Sequence, residues 1–349
     1  MGGGRQKVLR QFEITRLAPA EAPEILDVQG NACAGQAAFN AGQEAAVRKF
    51  IRTALRDFTS GAARGGGTPS ESNRAKGEPD EQRLEEVLAK LDKLTGLVRA
   101  KAEIKEVISL IRVAQSRRAL GIEVELGSFH SLFVGNPGTG KTTFARIYAE
   151  ALLALGALPA GSVVEVSRAD LVAGYTGQTA IKTREALDRA EGGVLFIDEA
   201  YALVNGQNDS YGEEALAELI KAMEDRRGRI AVVLAGYSGE MQELVDVNPG
   251  LKSRIFSTIH FDDYSAEDLA VIAESMAVSR KFTMHPTLLP RIAERMAQAK
   301  EGADEREFGN AREARNLVDR MIRKHAVRVA AIANPSLSDL TELTQEDLA

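Results

Sequence analysis

Residues 135–142 follow a pattern that is typical of a loop wrapping around phosphate groups. They read GNPGTGKT and lie between an apolar run and the start of a helical stretch. The glycines let the backbone approach phosphate oxygens closely, and N–H groups at the helix start provide positive potential. In such a loop Lys141 bridges the β and γ phosphates, and the Thr142 hydroxyl ligates Mg²⁺. The residues predicted to bind nucleotide are Gly135, Asn136, Pro137, Gly138, Thr139, Gly140, Lys141, Thr142 and Thr143.

Two acidic residues supply the second half of the predicted chemistry. Asp198 and Glu199 follow the apolar run VLFI at residues 194–197, and side chains at the carboxyl end of a parallel strand face the ligand crevice. Alone, two such acids are commonly a solvated strand end or a helix cap. Beside a phosphate loop they match the needs of phosphoryl transfer, because Asp198 then holds Mg²⁺ through water and Glu199 polarises the attacking water. The sequence therefore predicts hydrolysis of ATP with Mg²⁺.

Alternating β-type and helical patterns are expected to position these residues. Helical periodicity begins at residue 81, and strand-like runs then alternate with helical stretches. The predicted strands cover residues 131–134, 163–166, 194–197, 230–234 and 258–261. Such alternation indicates a parallel sheet with helices on both faces. After Asp262 only helical patterns remain, over residues 265–279, 286–300 and 310–332. A smaller helical domain is thus expected to follow the α/β domain.

The predicted domain organisation has four parts. Residues 1–58 are an Ala-rich extension with a plausible amphipathic helix over 43–58, and they form either a small docking module or a poorly ordered arm. Residues 59–80 are rich in Gly and Pro and contain no apolar residue larger than Ala, so we expect a flexible linker. The α/β core covers residues 81–263, and the helical lid covers residues 264–349.

The composition restricts the class of protein further. The chain has 349 residues, of which 44% are hydrophobic and 27% charged, as in globular proteins. A net charge of −6 disfavours a dedicated nucleic-acid binder. No apolar run approaches the roughly 18 residues of a membrane helix and no signal peptide is present, so a cytoplasmic location is expected. The lone Cys33 and the four scattered histidines support neither a disulfide nor a metal site.

Four segments together resemble the AAA+ ATPases. They read GNPGTGKTT, GGVLFIDEAYAL, VVLAGY and NPGLKSRI, and the resemblance extends from residue 81 to the C-terminus. Within the superfamily they are similar to the group that includes red-type Rubisco activase (CbbX), stage V sporulation protein K and the ATPase domain of EccA secretion proteins. The resemblance implies a five-stranded parallel sheet of order 5-1-4-3-2, a helical lid, and a homo-oligomer, typically a hexameric ring with nucleotide between subunits.

The resemblance also implies roles for single residues. Tyr175 matches an aromatic residue of the central pore that grips a polypeptide, although an ordinary loop tyrosine is the alternative. Arg254 matches an arginine finger that reaches the neighbouring subunit, with Lys252 as the weaker candidate and a plain surface cation as the alternative. Arg312 matches the sensor 2 arginine of the lid. Tyr237 stands at or near the sensor 1 place, where many members have Asn or Thr, so the chain departs from the common pattern there.

The expected function is Mg²⁺-dependent ATP hydrolysis that drives remodelling or threading of a protein partner by a ring. A nucleotide-controlled scaffold or switch with little motor activity is the alternative, and Rubisco activation is a narrower one. A DNA-directed loader is disfavoured by the acidic balance. Residues 205–212 form either a second pore loop or a solvent turn. The sequence does not identify the client.

Overall fold

The computed structural model describes residues 79–124, 127–175, 177–204, 210–302 and 308–348. The predicted extension, its helix over 43–58 and the linker up to residue 78 lie outside the described residues, as does the predicted loop at 205–209. Residues 210–212, expected in that loop, instead begin a helix. Within the described residues, no helix is long and apolar enough to cross a membrane.

A five-stranded sheet forms the centre of the core. Its strands are β1 (Ser131–Gly135), β2 (Val163–Val166), β3 (Val194–Ile197), β4 (Ala231–Gly236) and β5 (Ser257–Phe261). All neighbouring strands are parallel, in the order β2-β3-β4-β1-β5. This is the predicted order 5-1-4-3-2, read from the other edge. The strands β1, β3 and β4 are buried along their whole length, which explains why their sequences read as continuous apolar runs rather than as alternating ones.

Helices cover both faces of this sheet. Alternate strand residues point to opposite faces, so Phe133 and Phe196 belong to one apolar cluster while Leu132 and Leu195 belong to the other. The helices that precede the lid are α1 (Glu81–Lys93), α2 (Val98–Ala119), α3 (Lys141–Ala154), α4 (Arg168–Leu171), α5 (Gln178–Arg189), the 3₁₀ helix (Ala200–Leu203), α6 (Ser210–Asp225), α7 (Ser238–Asp246) and α8 (Pro249–Lys252). Helices α1 to α3 pack in the first cluster, and α5 to α7 pack in the second.

The lid is helical, as predicted, with one addition. Its elements are α9 (Ala266–Ser279), β6 (Thr283–Met284), α10 (Leu288–Glu301), α11 (Ala311–Ala330), α12 (Leu337–Thr341), β7 (Glu342–Leu343) and α13 (Gln345–Leu348). The expectation that only helices follow Asp262 missed the parallel pair β6–β7. Each of these strands has two residues, too few to give a period-2 pattern, and their pairing depends on a partner about sixty positions away. Apolar residues of α9, α10 and α11 join the first core cluster, so the lid packs on the core.

Candidate functional site

The phosphate loop connects the end of β1 to the start of α3. Strand β1 ends at Gly135, and α3 begins at Lys141 after Gly140, which has a left-handed φ of 93°. Inside the loop, the Thr139 hydroxyl donates to the carbonyl oxygen of Asn136 at 2.8 Å. Gly138 has a φ of 71°, a conformation that side chains other than glycine rarely adopt. The loop therefore has the tight backbone shape that a phosphate site requires.

Lys141 is held inside this loop by neutral acceptors. Its Nζ donates to the carbonyl oxygens of Gly135 at 2.7 Å and Asn136 at 2.8 Å. Burial lowers the pKa of Lys141 to about 8; Asp198 opposes this shift and Arg312 adds to it. A partly buried ammonium with only carbonyl partners is well suited to an anion, because a phosphate group would restore the lost solvation of its charge. The loop thus fits the triphosphate of a nucleotide.

The two acids after β3 differ in exposure and in backbone conformation. Asp198 is half-buried, and its Oδ1 accepts a hydrogen bond from the backbone N–H of Glu199 at 3.1 Å. Glu199 is exposed and has a left-handed φ of 51° as it leads into the 3₁₀ helix. For a residue other than glycine this conformation costs on the order of 1 kcal/mol or more, and such strain is concentrated at functional sites. No local sequence pattern predicted this conformation of Glu199.

One cavity of about 620 Å³ brings most of the predicted residues together. Its polar part contains the phosphate loop, Asp198, Glu199 and Arg312, while Leu94, Leu97, Ile272 and Met276 give it apolar walls. Of the nine residues predicted to bind nucleotide, eight line this cavity, and Asn136 is the exception. A space with cations, acids and loop N–H groups in one part and apolar walls in another accommodates an anionic nucleotide with an aromatic base.

The oxygen donors beside the phosphate loop suit Mg²⁺. Thr142 and Asp198 both line the cavity, and Mg²⁺ prefers oxygen ligands and usually retains several waters, so it does not need an all-protein cage. Among the described residues, no group of three or more His, Cys, Asp or Glu side chains is placed to hold a metal by itself. The donors present therefore fit a cation that is shared with phosphate oxygens.

The lid closes directly on the phosphate loop, a feature that sequence reasoning did not predict. Ala311 at the start of α11 donates its backbone N–H to the Gly138 carbonyl at 3.2 Å. The Tyr264 hydroxyl, buried at the junction of core and lid, donates to the Thr139 carbonyl at 3.2 Å. These contacts place Arg312, the next residue of α11, on the cavity wall. Burial raises the pKa of Tyr264 to about 12, so its hydroxyl remains a donor at neutral pH.

Arg254 and Lys252 do not line this cavity. Arg254 Nη1 donates to the Gly250 carbonyl at 2.7 Å, and its Nε forms an ion pair with Glu224 at 3.3 Å. Lys252 forms an exposed ion pair with Asp246 at 2.9 Å. Within one chain, neither cation is brought together with the other predicted site residues.

Tyr175 stands on an exposed loop whose base is firmly attached. Its exposed fraction is 73%. Two buried threonines of α5 hold the segment before it: Thr183 Oγ1 donates to the Leu171 carbonyl at 3.1 Å, and Thr179 Oγ1 accepts from the Ala173 N–H at 3.1 Å. The tyrosine thus projects from a fixed base and is accessible to a partner.

Tyr237 lines the cavity at the end of β4 and immediately precedes α7. Its ring lies 5.8 Å from the ring of Tyr201, at an interplanar angle of 44°. Gly236 leaves room for this pair, since a Cβ there would lie 2.7 Å from Tyr201 Cδ1. Tyr237 therefore contributes an aromatic side chain to the cavity wall near Asp198 and Glu199.

Comparisons with known proteins agree with this geometry. The family described as "ATPase family associated with various cellular activities (AAA)" matches residues 131–263, and "AAA lid domain" matches residues 265–349. The chain is 37% identical to "Stage V sporulation protein K" of Bacillus subtilis, over 76% of this chain and 83% of that protein. It is 40% identical to "Protein CbxX, plasmid" of Cupriavidus necator, over 76% and 84%.

Two further similarities are more restricted. The chain is 40% identical to "ESX-1 secretion system protein EccA1" of Mycobacterium tuberculosis over 77% of its own length, but it spans only 49% of that relative. Among solved structures, the AAA domain of FIGL-1 superposes with a TM-score of 0.52 over 80% of this chain and 90% of that one, at 17% identity. At that identity, the likeness concerns the fold alone.

Proposed function

This chain belongs to the AAA family of ATPases and hydrolyses ATP, and we propose that it works as a ring that remodels or threads a protein client. The observation that carries the chemistry is the convergence of Lys141, Asp198, Glu199 and Arg312 on one cavity. The observation that favours work on a polypeptide is the exposed Tyr175 on its anchored loop. Both the ring and the client are proposals.

In this proposal, the loop residues bind and orient the phosphates. Lys141 turns from its two carbonyl acceptors to the β and γ phosphate oxygens, and the loop N–H groups and the N-terminus of α3 surround the phosphates. Thr142 and Asp198 hold Mg²⁺, which when bound supplies positive charge against the phosphate oxygens. Glu199, exposed at the cavity wall, orients and polarises the attacking water.

Two arginines complete the proposed site from different directions. Arg312 faces the cavity from the lid of the same chain, where a cation stabilises charge on the γ phosphate. Arg254 lies outside the cavity of its own chain, and its proposed role is that of an arginine finger for the neighbouring subunit. It must leave its ion pair with Glu224 to do so. Nucleotide would then sit between subunits, and hydrolysis would depend on ring assembly.

The client is proposed to be a protein and the location the cytoplasm. The names of the relatives refer to sporulation and secretion, and these processes do not share an evident client. Rubisco is the narrower candidate, based on the resemblance to CbbX. Contacts between an aromatic side chain and an extended chain do not require a particular sequence, so Tyr175 suits clients of varied sequence.

ATPase assays of three proteins test the site. We expect Lys141→Ala to lose nucleotide binding, and Glu199→Gln to bind nucleotide but to hydrolyse it at least about a hundredfold more slowly. Asn316→Ala, an exposed substitution on α11, is the matched control and should retain wild-type turnover. Unimpaired hydrolysis in both site variants would refute the assignment.

Mixing two inactive variants tests the arginine finger. In rings formed at random from equal amounts of Lys141→Ala and Arg254→Ala subunits, a site is active when a subunit with an intact phosphate loop adjoins a neighbour with an intact Arg254. Each condition is met about half the time, so about a quarter of wild-type activity should return. If Arg254 acted within its own chain, mixing would restore nothing. Lys252→Ala, in contrast, should remain active without a partner.

The Glu199→Gln variant, which should hold ATP, can trap the client for identification by pull-down. Remodelling of that client then tests the pore. We expect Tyr175→Ala to hydrolyse ATP without remodelling, Tyr175→Phe to retain remodelling, and Ile181→Ala, an exposed change on α5, to act as wild type. Full remodelling by Tyr175→Ala would refute the pore role. A ring that assembles but never moves a client would favour the scaffold alternative.

A further inference from the structure

Asn310, the residue before α11, is a buried polar side chain in an unusual backbone conformation. It is fully buried, with φ 47° and ψ −122°. Positive φ is uncommon outside glycine, and it persists where the surroundings determine it strongly. The residue is not among those predicted from the sequence, and it precedes Arg312 by two positions. What holds it in place therefore bears on how the lid meets the nucleotide site.

The Asn310 side chain satisfies its donors and its acceptor with groups from three parts of the chain. Its Oδ1 accepts from the Tyr264 N–H at 3.1 Å, and its Nδ2 donates to Asp263 Oδ1 at 2.8 Å. The same Nδ2 lies 3.3 Å from the Pro137 carbonyl of the phosphate loop and 3.4 Å from the Phe308 carbonyl. An amide suits this position because it presents a donor and an acceptor together.

Asp263, the residue between the core and the lid, connects Asn310 to the phosphate loop a second time. Its Oδ1 also accepts from Asn136 Nδ2 at 3.0 Å. Its Oδ2 lies 3.9 Å from Lys300 Nζ, which in turn donates to the Tyr264 carbonyl. The side chain of Asp263 has an exposed fraction of only 16%, so its bonds are partly shielded from water.

Consecutive residues of the loop are thereby attached to the lid or to its junction. Asn136 contacts Asp263, and the Pro137 carbonyl contacts Asn310. The Gly138 and Thr139 carbonyls accept from the Ala311 N–H and the Tyr264 hydroxyl. The backbones also approach closely, since a Cβ on Gly138 would lie 2.1 Å from the carbonyl oxygen of Gly309. A shift of the loop must therefore move the start of α11, or break these bonds.

We propose that Asn310, through Asp263 and Asn136, is a positioning residue that couples the phosphate loop to the lid. We call these three residues the loop–lid bridge. The coupling runs through protein contacts, separately from any contact between Arg312 and the nucleotide. The Asn136 carbonyl also accepts from Lys141 Nζ, so a change at the lysine reaches the bridge through one residue. The proposal rests on the proposed function in that nucleotide is the ligand whose arrival moves the loop.

The bridge itself is tested on the nucleotide-free protein by hydrogen exchange. In Asn310→Ala, hydrogen exchange should accelerate at two backbone amides. The Tyr264 amide loses its acceptor, Asn310 Oδ1. The Ala311 amide keeps its acceptor, the Gly138 carbonyl, but the loop that carries this carbonyl is no longer held by Asn310. The exposed Asn316→Ala change on the same helix should leave both amides at the wild-type rate. Wild-type protection in Asn310→Ala would overturn the bridge, and this result does not depend on whether nucleotide binds.

Coupling is tested by the distance between core and lid. Labels at Lys221→Cys on α6 and Val327→Cys on α11, both exposed positions, are introduced with Cys33→Ser, and labelled subunits are diluted into unlabelled ones. When saturating ADP or a non-hydrolysable ATP analogue is added to the wild type, the efficiency of energy transfer between the two labels should change. In Asn310→Ala most of this change should be lost. The nucleotide affinity of Asn310→Ala should also fall about tenfold, because the phosphate loop is no longer held in its binding conformation before nucleotide arrives.

Exchange of the partners distinguishes coupling from a loss of stability. Asn310→Asp places a carboxylate against the Asp263 carboxylate at the 2.8 Å contact and should lose the lid response. Adding Asp263→Asn removes the like charge and restores one donor and one acceptor between the two positions, but a carboxylate at position 310 cannot donate to the Pro137 carbonyl, so the response should recover only in part. A full lid response in Asn310→Ala or Asn310→Asp would overturn the proposal.

The proposal can still be tested if Asn310→Ala does not fold or if the wild type does not bind nucleotide. If Asn310→Ala does not fold, Asn136→Ala, which removes only the loop side of the bridge, must lose the lid response instead. If wild type binds no nucleotide, the proposed function fails, while hydrogen exchange still decides the bridge.

Discussion

Raising the pH should weaken nucleotide binding through Lys141. The pKa of this lysine is about 8 in the ligand-free protein, against 10.5 ordinarily, chiefly because the group is buried. A bound phosphate favours the charged form and returns the pKa toward the ordinary value. Binding is therefore linked to proton uptake by Lys141 between about pH 8 and the ordinary pKa of 10.5.

The size of the effect follows from the protonated fraction of the free protein. With a pKa of about 8, roughly three-quarters of Lys141 is charged at pH 7.5 and about 3% at pH 9.5, so affinity should fall about 25-fold. The stability of the protein without nucleotide depends on pH in the opposite direction, because it should increase as pH rises. Because the folded pKa lies below the unfolded one, burying the charge costs stability at neutral pH, and that cost disappears as pH rises from 8 to 10.5.

Titration with a fluorescent nucleotide between pH 7.5 and 9.5 measures this slope. Lys141→Arg is the matched control, because a guanidinium remains charged throughout this range, and its affinity, though weaker, should not fall with pH. Tyr264 does not interfere, since burial holds its pKa at about 12. The reasoning is refuted if wild-type affinity is constant over this range, or if Lys141→Arg shows the same slope.

Three further predictions concern stability and the loop. Burial lowers the pKa of His130 to about 4 from 6.5, so its contribution to stability is complete above pH 6.5 and falls by roughly 2–3 kcal/mol by pH 4.5; urea unfolding should show His130→Gln with a correspondingly flatter pH profile. Gly138→Ala should reduce nucleotide affinity at least about tenfold, because its Cβ would lie 2.1 Å from a lid carbonyl oxygen; Gly121→Ala, with a similar φ of 77° but open space, should bind nucleotide normally. Asp347→Ala should destabilise the lid by about 3 kcal/mol in thermal unfolding, because it leaves Arg328 without the carboxylate it binds at 2.9 Å; a shift within error would contradict that value.

The helices and strands followed from local sequence. Strands β2 and β3 lie at the predicted residues, and β1, β4 and β5 differ by one or two residues at their ends. Continuous apolar runs flanked by glycine and helical stretches specify buried parallel strands without reference to the rest of the chain. The strand order, in contrast, was predicted from the resemblance to a family, because the sequence of a single strand does not determine which strands lie beside it in the sheet.

Part of the candidate site could be predicted from the sequence, because it too depends on local sequence patterns. Glycine spacing in the loop and the two acids after β3 are local signals, and the structure places them around one cavity. Their catalytic roles remain predictions. The left-handed φ of Glu199 was not readable, because it depends on how β3 meets the 3₁₀ helix beyond it.

A phosphate loop, an acidic strand end and an α/β core with a helical lid could be predicted from the sequence, because each is encoded within a few neighbouring residues. The contacts that join these parts became visible in the folded chain. Asn136 meets Asp263 across 127 positions, and Asn310 meets Pro137 across 173. The physical reason is that a polar side chain has no periodic signature for its partner: the buried hydrogen bond exists only once the folded backbones have brought donor and acceptor together.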